Sequence, residues 1–214
     1  MKNIGIIIAI ILSIFICNVH ADDWSPPSGN LKIIKKDLLS HSMNIEKVQS
    51  KDSHGYTSLI EAAYKCDNAT LKALLSTGLY DSAELNRSND YGETALMWSA
   101  CNNNLMAVKL LIETGKYDMH MLNAHDKDGN SALMYAVHNK NLEMVSLILN
   151  ANGHFSQDAL EFKNAADSSA YSYALRIGGK MASLLNAAKD SAIADLHPKV
   201  GIIHSDMPIL ARGH

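Results

Sequence analysis

Catalytic signatures are what this 214-residue sequence most clearly lacks. It holds no G-x-S-x-G, no H-E-x-x-H and no G-x-x-x-x-G-K-[ST], so the local marks of serine hydrolases, zinc proteases and P-loop nucleotide enzymes are missing. Nor does either charge dominate: 19 Lys and Arg stand against 22 Asp and Glu, a net charge of −3, which offers a nucleic acid no basic face. Ten histidines are present, but they are scattered without the paired helical spacing that metal sites favour. Three of them, His197, His204 and His214, lie in the tail. The longest apolar run, Ile4 to Ile16, falls short of the roughly 20 residues a membrane-spanning helix needs. Cysteine is scarce too: beyond Ala21 only Cys66 and Cys101 remain. These two could pair in an oxidising compartment or stay as small, buried or half-buried thiols, and both readings stand.

What the chain does contain begins with an export signal. Met1 and Lys2 precede the apolar run, and Val19, His20 and Ala21 follow it. This layout predicts a signal peptide at 1–21, cleaved after Ala21. An uncleaved anchor is the alternative, and a lipoprotein reading at Cys17 is opposed by the bulky Ile16 before it. Residues 22–30, with Pro26, Pro27 and Gly29, read as a linker. Leu31, Ile33, Ile34, Leu38 and Leu39 then give one apolar helical face, a half-unit spanning 31–51 that would cap a stack, with Lys32, Lys35, Lys36 and Asp37 as its polar outer side.

The middle of the chain repeats. Gly55, Gly92 and Gly129 are spaced 37 residues apart, and other columns keep the step. Thr57, Thr94 and Ser131 align, as do Leu59, Leu96 and Leu133, then Leu71, Val108 and Val145. Such periodicity predicts a solenoid-like array of stacked units at 52–88, 89–125 and 126–162. A worn fourth copy follows at 163–189, with Ala166 in the glycine column. Within each unit a glycine turn precedes a hydroxyl residue that can cap a short, alanine-rich helix. A polar turn and a second helix with branched apolar residues come next, ending at Gly78, Gly115 or Asn152-Gly153. After Lys189 the periodicity stops, and 190–214 reads as a tail or cap carrying Val200, Ile202, Ile203, Ile209 and Leu210.

The unit resembles the ankyrin repeat. Gly92, Thr94, Ala95, Leu96, Met97, Ala100, Val108, Leu110, Leu111 and Gly115 carry the resemblance, with Asn123, Ala124 and Asp126 leading into the next copy. It implies an all-α solenoid of helix-turn-helix units joined by β-hairpin-like loops. There are departures: the family period is about 33 residues, the extra residues here follow Gly78 and Gly115, and T-P-L-H reads T-S-L-I, T-A-L-M and S-A-L-M.

Two lesser features take structural readings. Asp126, Asp128 and Gly129 hint at a calcium loop, but the twelfth position is Val137 instead of glutamate. Met97, Met106, Met119, Met121, Met134, Met144 and Met181 mostly follow core columns and read as gap-fillers.

By the resemblance, the loop tips and the exposed side of the first helices form a concave face. Its residues would be His54, Tyr56, Tyr64, Lys65, Tyr91, Glu93, Asn102, Lys127, Asn130, His138 and Asn139, with Trp98 and Tyr135 adjoining. Aromatic groups among neutral polar ones suit a protein partner. The expectation is an exported, non-enzymatic protein, periplasmic or secreted, that binds one partner protein and is a monomer when unbound. A periplasmic protective or immunity-type role is one form of it; a secreted effector engaging host proteins is the alternative. Neither a cofactor, a nucleic acid, a small-molecule substrate nor, after signal cleavage, a membrane is implied.

Overall fold

Short capped helices, set by the residues that start and stop them, make up most of the described residues. A computed structural model describes residues 29–151 and 155–196; the signal read at 1–21, most of the linker, Asn152, Gly153 and residues 197–214 lie outside the described residues. Thirteen helices fall within the described residues. Three full units follow the same order. The first helices are α3 (Ser58–Tyr64), α6 (Ala95–Cys101) and α9 (Ala132–His138). Thr57, Thr94 and Ser131 start them by accepting from the third helical amide, as the hydroxyl column requires. The second helices are α4 (Asn68–Ser76), α7 (Leu105–Ile112) and α10 (Leu142–Leu149), capped by Asp67, Asn104 and Asn141.

A third element in each unit went unforeseen. The residues beyond the usual repeat length form one-turn helices, α5 (Ser82–Leu85), α8 (Met119–Leu122) and the slightly longer α11 (Gln157–Glu161), capped by Asp81, Asp118 and Ser156. Each turn is pinned by an aromatic ahead of it, Tyr80, Tyr117 or Phe155, and by Leu85, Leu122 or Leu160 within it, all buried.

The ends are built from the same parts. At the amino end α1 (Gly29–Leu39), which starts inside the span read as linker, packs on α3 and α4. A single turn, α2 (Ile45–Gln49), capped by Asn44, follows it. At the carboxyl end α12 (Ala170–Ile177) and α13 (Gly179–Leu196) close the stack. Two sequence expectations are corrected here. The fourth copy steps by 38, not 37: Ser169 caps α12, and Asp167 with φ 55° holds the glycine column instead of Ala166. One residue has been added before Phe155, which throws off a fixed count. Helix α13 also runs on past Lys189 to Leu196, because its alanine-rich sequence favours helix where apolar periodicity is weak.

First helices α3, α6, α9 and α12 lie side by side in one layer, and α4, α7, α10 and α13 in a second. The core sits between them. Leu71, Val108 and Val145 are completely buried, as are Leu74, Leu111 and Ile148; each such side chain contributes roughly 1.5–3 kcal/mol by leaving water. Small residues, Ala62, Ser99, Ala136 and Ala174, let adjacent first helices approach. Met97, Met121, Met134, Met144 and Met181 are buried, Met119 is partly so, and Met106 is exposed. Cys66 is an exposed free thiol in the turn after α3, so no Cys66–Cys101 bridge forms. No helix among the described residues is long and apolar enough to cross a membrane.

Candidate functional site

The loop tips are closed by local hydrogen bonds that recur in each unit. Each begins with Asp or Asn: Asp52, Asn89, Asp126 and Asn164. The side-chain Oδ1 of each accepts two amides, two and four residues on, at 2.8–3.1 Å. The chain then turns back, as in Gly92 N to Asn89 O at 3.1 Å and Asn89 N to Glu93 O at 3.0 Å. Two isolated antiparallel bridges, Lys51 with Thr57 and Ser88 with Thr94, make these loops hairpin-like.

Successive tips are joined by main chain. Asp90 N donates to His54 O at 3.1 Å, Lys127 N to Tyr91 O at 2.9 Å and Ala165 N to Asp128 O at 2.8 Å. The glycines sit in this seam in like surroundings. Gly55, Gly92 and Gly129 have φ of 78°, 81° and 80°, and a Cβ on each would press on Asp90, Asp126 or Asn164 of the next tip. The turn's polar backbone is thereby satisfied within the protein, and its side chains are left to face outward.

Burial divides the expected binding residues. Tyr56, Glu93, Trp98 and Asn130 are buried and do not meet solvent as expected. Each is occupied within the stack. Glu93 Oε2 accepts from Asn89 Nδ2 at 2.6 Å, Asn130 Oδ1 accepts from Asn164 Nδ2 at 2.6 Å, and Trp98 packs edge-on against Tyr64 with ring centroids 4.7 Å apart. Tyr56, Glu93 and Asn130 each directly follow a tip glycine, where the turn directs the side chain inward, while Trp98 lies within the first helix and is covered by Tyr64 of the preceding repeat. Asn102 and Asn139 reach back one repeat: Asn102 Nδ2 donates to Tyr64 O at 2.9 Å, and Asn139 Nδ2 to Ala100 O at 2.8 Å and Cys101 O at 3.0 Å.

The remaining candidates lie on one accessible surface. Tyr91 and Lys127 are exposed at neighbouring tips, the Lys127 ammonium 5.9 Å from the Tyr91 ring centroid. His54 is half-buried at the first tip; below it Lys65 is exposed and pairs with Glu61 at 2.8 Å. Tyr64, Tyr135 and His138, on the first helices α3 and α9, are half-buried. Burial pushes the Tyr135 phenol well above its usual range, helped by Asp126, whose Oδ2 accepts its hydrogen bond at 2.6 Å. Tyr56 is likewise pushed up by burial and by Glu93. Both phenols stay neutral at ordinary pH, and Tyr135 serves as a donor to Asp126. His138 is held below the usual imidazole value by burial and then by Lys140 and Arg176.

Several members of this surface were missed. Asp90 and Asp128 are exposed at the tips, and Tyr173 and Arg176 continue the Tyr135 and His138 columns into the fourth unit. Stepping by 38 from Tyr135 and His138 reaches both; a step of 37 passes them by. Among the described residues no group of three or more His, Cys, Asp or Glu is placed to hold a metal ion.

Three copies of the ankyrin repeat are matched by a family model over residues 67–159. No curated protein matches the chain. A capped first helix, a second helix and a backbone-linked tip, stacked in register, are the ankyrin repeat in physical form, and residues 67–159 of this chain are ankyrin repeats.

Proposed function

We propose that this chain is an exported, non-enzymatic binding protein that holds one partner protein against its tips and inner helices. Ankyrin repeats are a protein–protein interaction module. The observation that carries the finer reading is the seam of tips: the backbone bonds are made internally, yet Tyr91, Lys127, Asp90 and Asp128 are exposed on it. A rigid row of exposed side chains binds with little ordering cost, and tyrosine is a favoured anchor. The sequence at 1–21 supports export to the periplasm or beyond, where a protective or immunity-type role suits a protein without catalytic groups.

Two experiments test this. Immobilised chain is expected to retain a defined protein from an envelope fraction, and Tyr91→Ala with Lys127→Glu is expected to lose it; retention unchanged by both substitutions counts against this face. Amino-terminal sequencing of the accumulated protein is expected to begin at Asp22. A start at Met1 in cytoplasmic fractions overturns export.

A further inference from the structure

The junction between the carboxyl end of α9 and α12 gathers positive charge in one place. His138 ends α9, Lys140 stands in the turn after it with φ 57°, and Arg176 lies on α12 of the next unit. Tyr173 is the hub. The His138 ring meets it edge-on at 6.1 Å, and the Arg176 guanidinium lies 4.6 Å from its centroid. Neither Lys140 nor Arg176 forms an ion pair among the described residues. The acids close by in sequence are engaged elsewhere, Glu143 by Lys109 at 2.6 Å and Asp167 by Lys163 at 2.8 Å. Three groups that are cationic or can become so thus converge with no carboxylate among them.

We propose that His138 and Arg176, which share the Tyr173 ring, together with Lys140 two residues beyond His138, form a carboxylate subsite that engages an acidic segment of the partner protein. This rests on the reading of the tips and inner helices as a protein-binding face. Arginine and lysine side by side hold a carboxylate by charge-assisted hydrogen bonds, and Tyr173 orients the guanidinium by stacking. The exposed side of Ile177 next to Arg176 supplies apolar contact for the residues flanking an acidic side chain. A long polyanion fits poorly, because Asp90 and Asp128 are exposed at the tips and the chain as a whole is negative, at −3. The groups facing His138 are Lys140 from its own turn and Tyr173 and Arg176 from α12, and both cations oppose its protonation. A bound carboxylate offsets that repulsion, so binding draws a proton onto His138 and tightens as pH falls.

The test is calorimetric titration of the full chain with an end-blocked hexaglutamate peptide, with hexalysine and inorganic phosphate as separate arms. Hexaglutamate is expected to bind, more tightly at about pH 6 than at about pH 8. Lys140→Glu with Arg176→Glu is expected to weaken it at least tenfold, about the worth of one charge-assisted contact, with the circular dichroism unchanged. His138→Phe is expected to remove the pH dependence. Absence of binding, equal binding by the double variant, or equal competition by phosphate overturns the proposal. Should hexaglutamate fail while Tyr91→Ala still abolishes capture of a partner, the subsite falls and the reading of the tips as the binding face stands.

Discussion

The backbone amide of Lys127 donates to the carbonyl of Tyr91 across 2.9 Å, which ties one repeat's tip to the next without using either side chain. The same bond recurs from Asp90 to His54 and from Ala165 to Asp128. Shape at the tips is therefore set by the main chain, and chemistry by whatever residues occupy two outward positions.

The seam makes its glycines unequal to the others. At Gly129, φ is 80° and a Cβ would lie 2.9 Å from the Asn164 Cα; at Gly115, φ is 67° and nothing lies within 4 Å. Gly129→Ala is expected to cost about 2–4 kcal/mol, from left-handed strain plus collision with backbone. Gly115→Ala is expected to cost about 1 kcal/mol, from strain alone. Urea unfolding of both variants checks this, and equal losses would contradict the close approach of tips.

Asn139 binds two carbonyls of the preceding unit, whereas Asn150 only caps its own helix from an exposed position. Asn139→Ala takes the side-chain donor away from both carbonyls, although Ala100 O keeps the Asn103 amide at 3.0 Å, and is expected to lower stability by about 1–2 kcal/mol. Asn150→Ala is expected to stay within about 0.5 kcal/mol. Thermal melts of the pair decide it.

Much of this was legible in the sequence because each feature has a local cause. Thr57, Thr94 and Ser131 cap helices, and Gly55, Gly92 and Gly129 need positive φ, so a count of 37 located both. Three things were hidden. One-turn helices such as α5 have too few residues to show periodicity, although Asp81 and Asp118 announce their caps. An added residue before Phe155 moved the fourth unit out of step and concealed Tyr173 and Arg176. Residues flanking a tip glycine alternate between facing out, as Tyr91 does, and tucking under, as Glu93 does. A one-residue difference of that kind is decided by the neighbouring repeat.

That alternation separates two charge reversals. Lys127→Glu changes an exposed group and is expected to alter stability by no more than about 0.5 kcal/mol. Glu93→Lys puts an ammonium into a buried position beside Asn89 and is expected to cost about 3–5 kcal/mol. Equilibrium unfolding is the measurement, and similar midpoints for the two would show that Glu93 is not enclosed.

Acidity acts through His125. Its ring stacks on Phe162 with centroids 3.9 Å apart, and burial holds it below the usual imidazole value of 6.5, against a weaker opposing pull from Asp126. A depressed folded-state value means that the unfolded chain binds the proton more readily. The contribution is complete above pH 6.5 and is lost as pH falls below it towards the folded value. The melting temperature is expected to drop from about pH 7.5 to about pH 5.5 more steeply in the parent than in His125→Phe. Parallel pH profiles would remove this assignment.

Site-specific photo-crosslinking tests the binding face most directly. A benzoylphenylalanine replacing Tyr91, on the tip seam, is compared with one replacing Met106, exposed on a second-layer helix. In cells that make the chain, position 91 is expected to give a discrete covalent adduct with another protein and position 106 none. Adducts from 106 alone, or equal adducts from both, would place the partner elsewhere and contradict a grip by the tips.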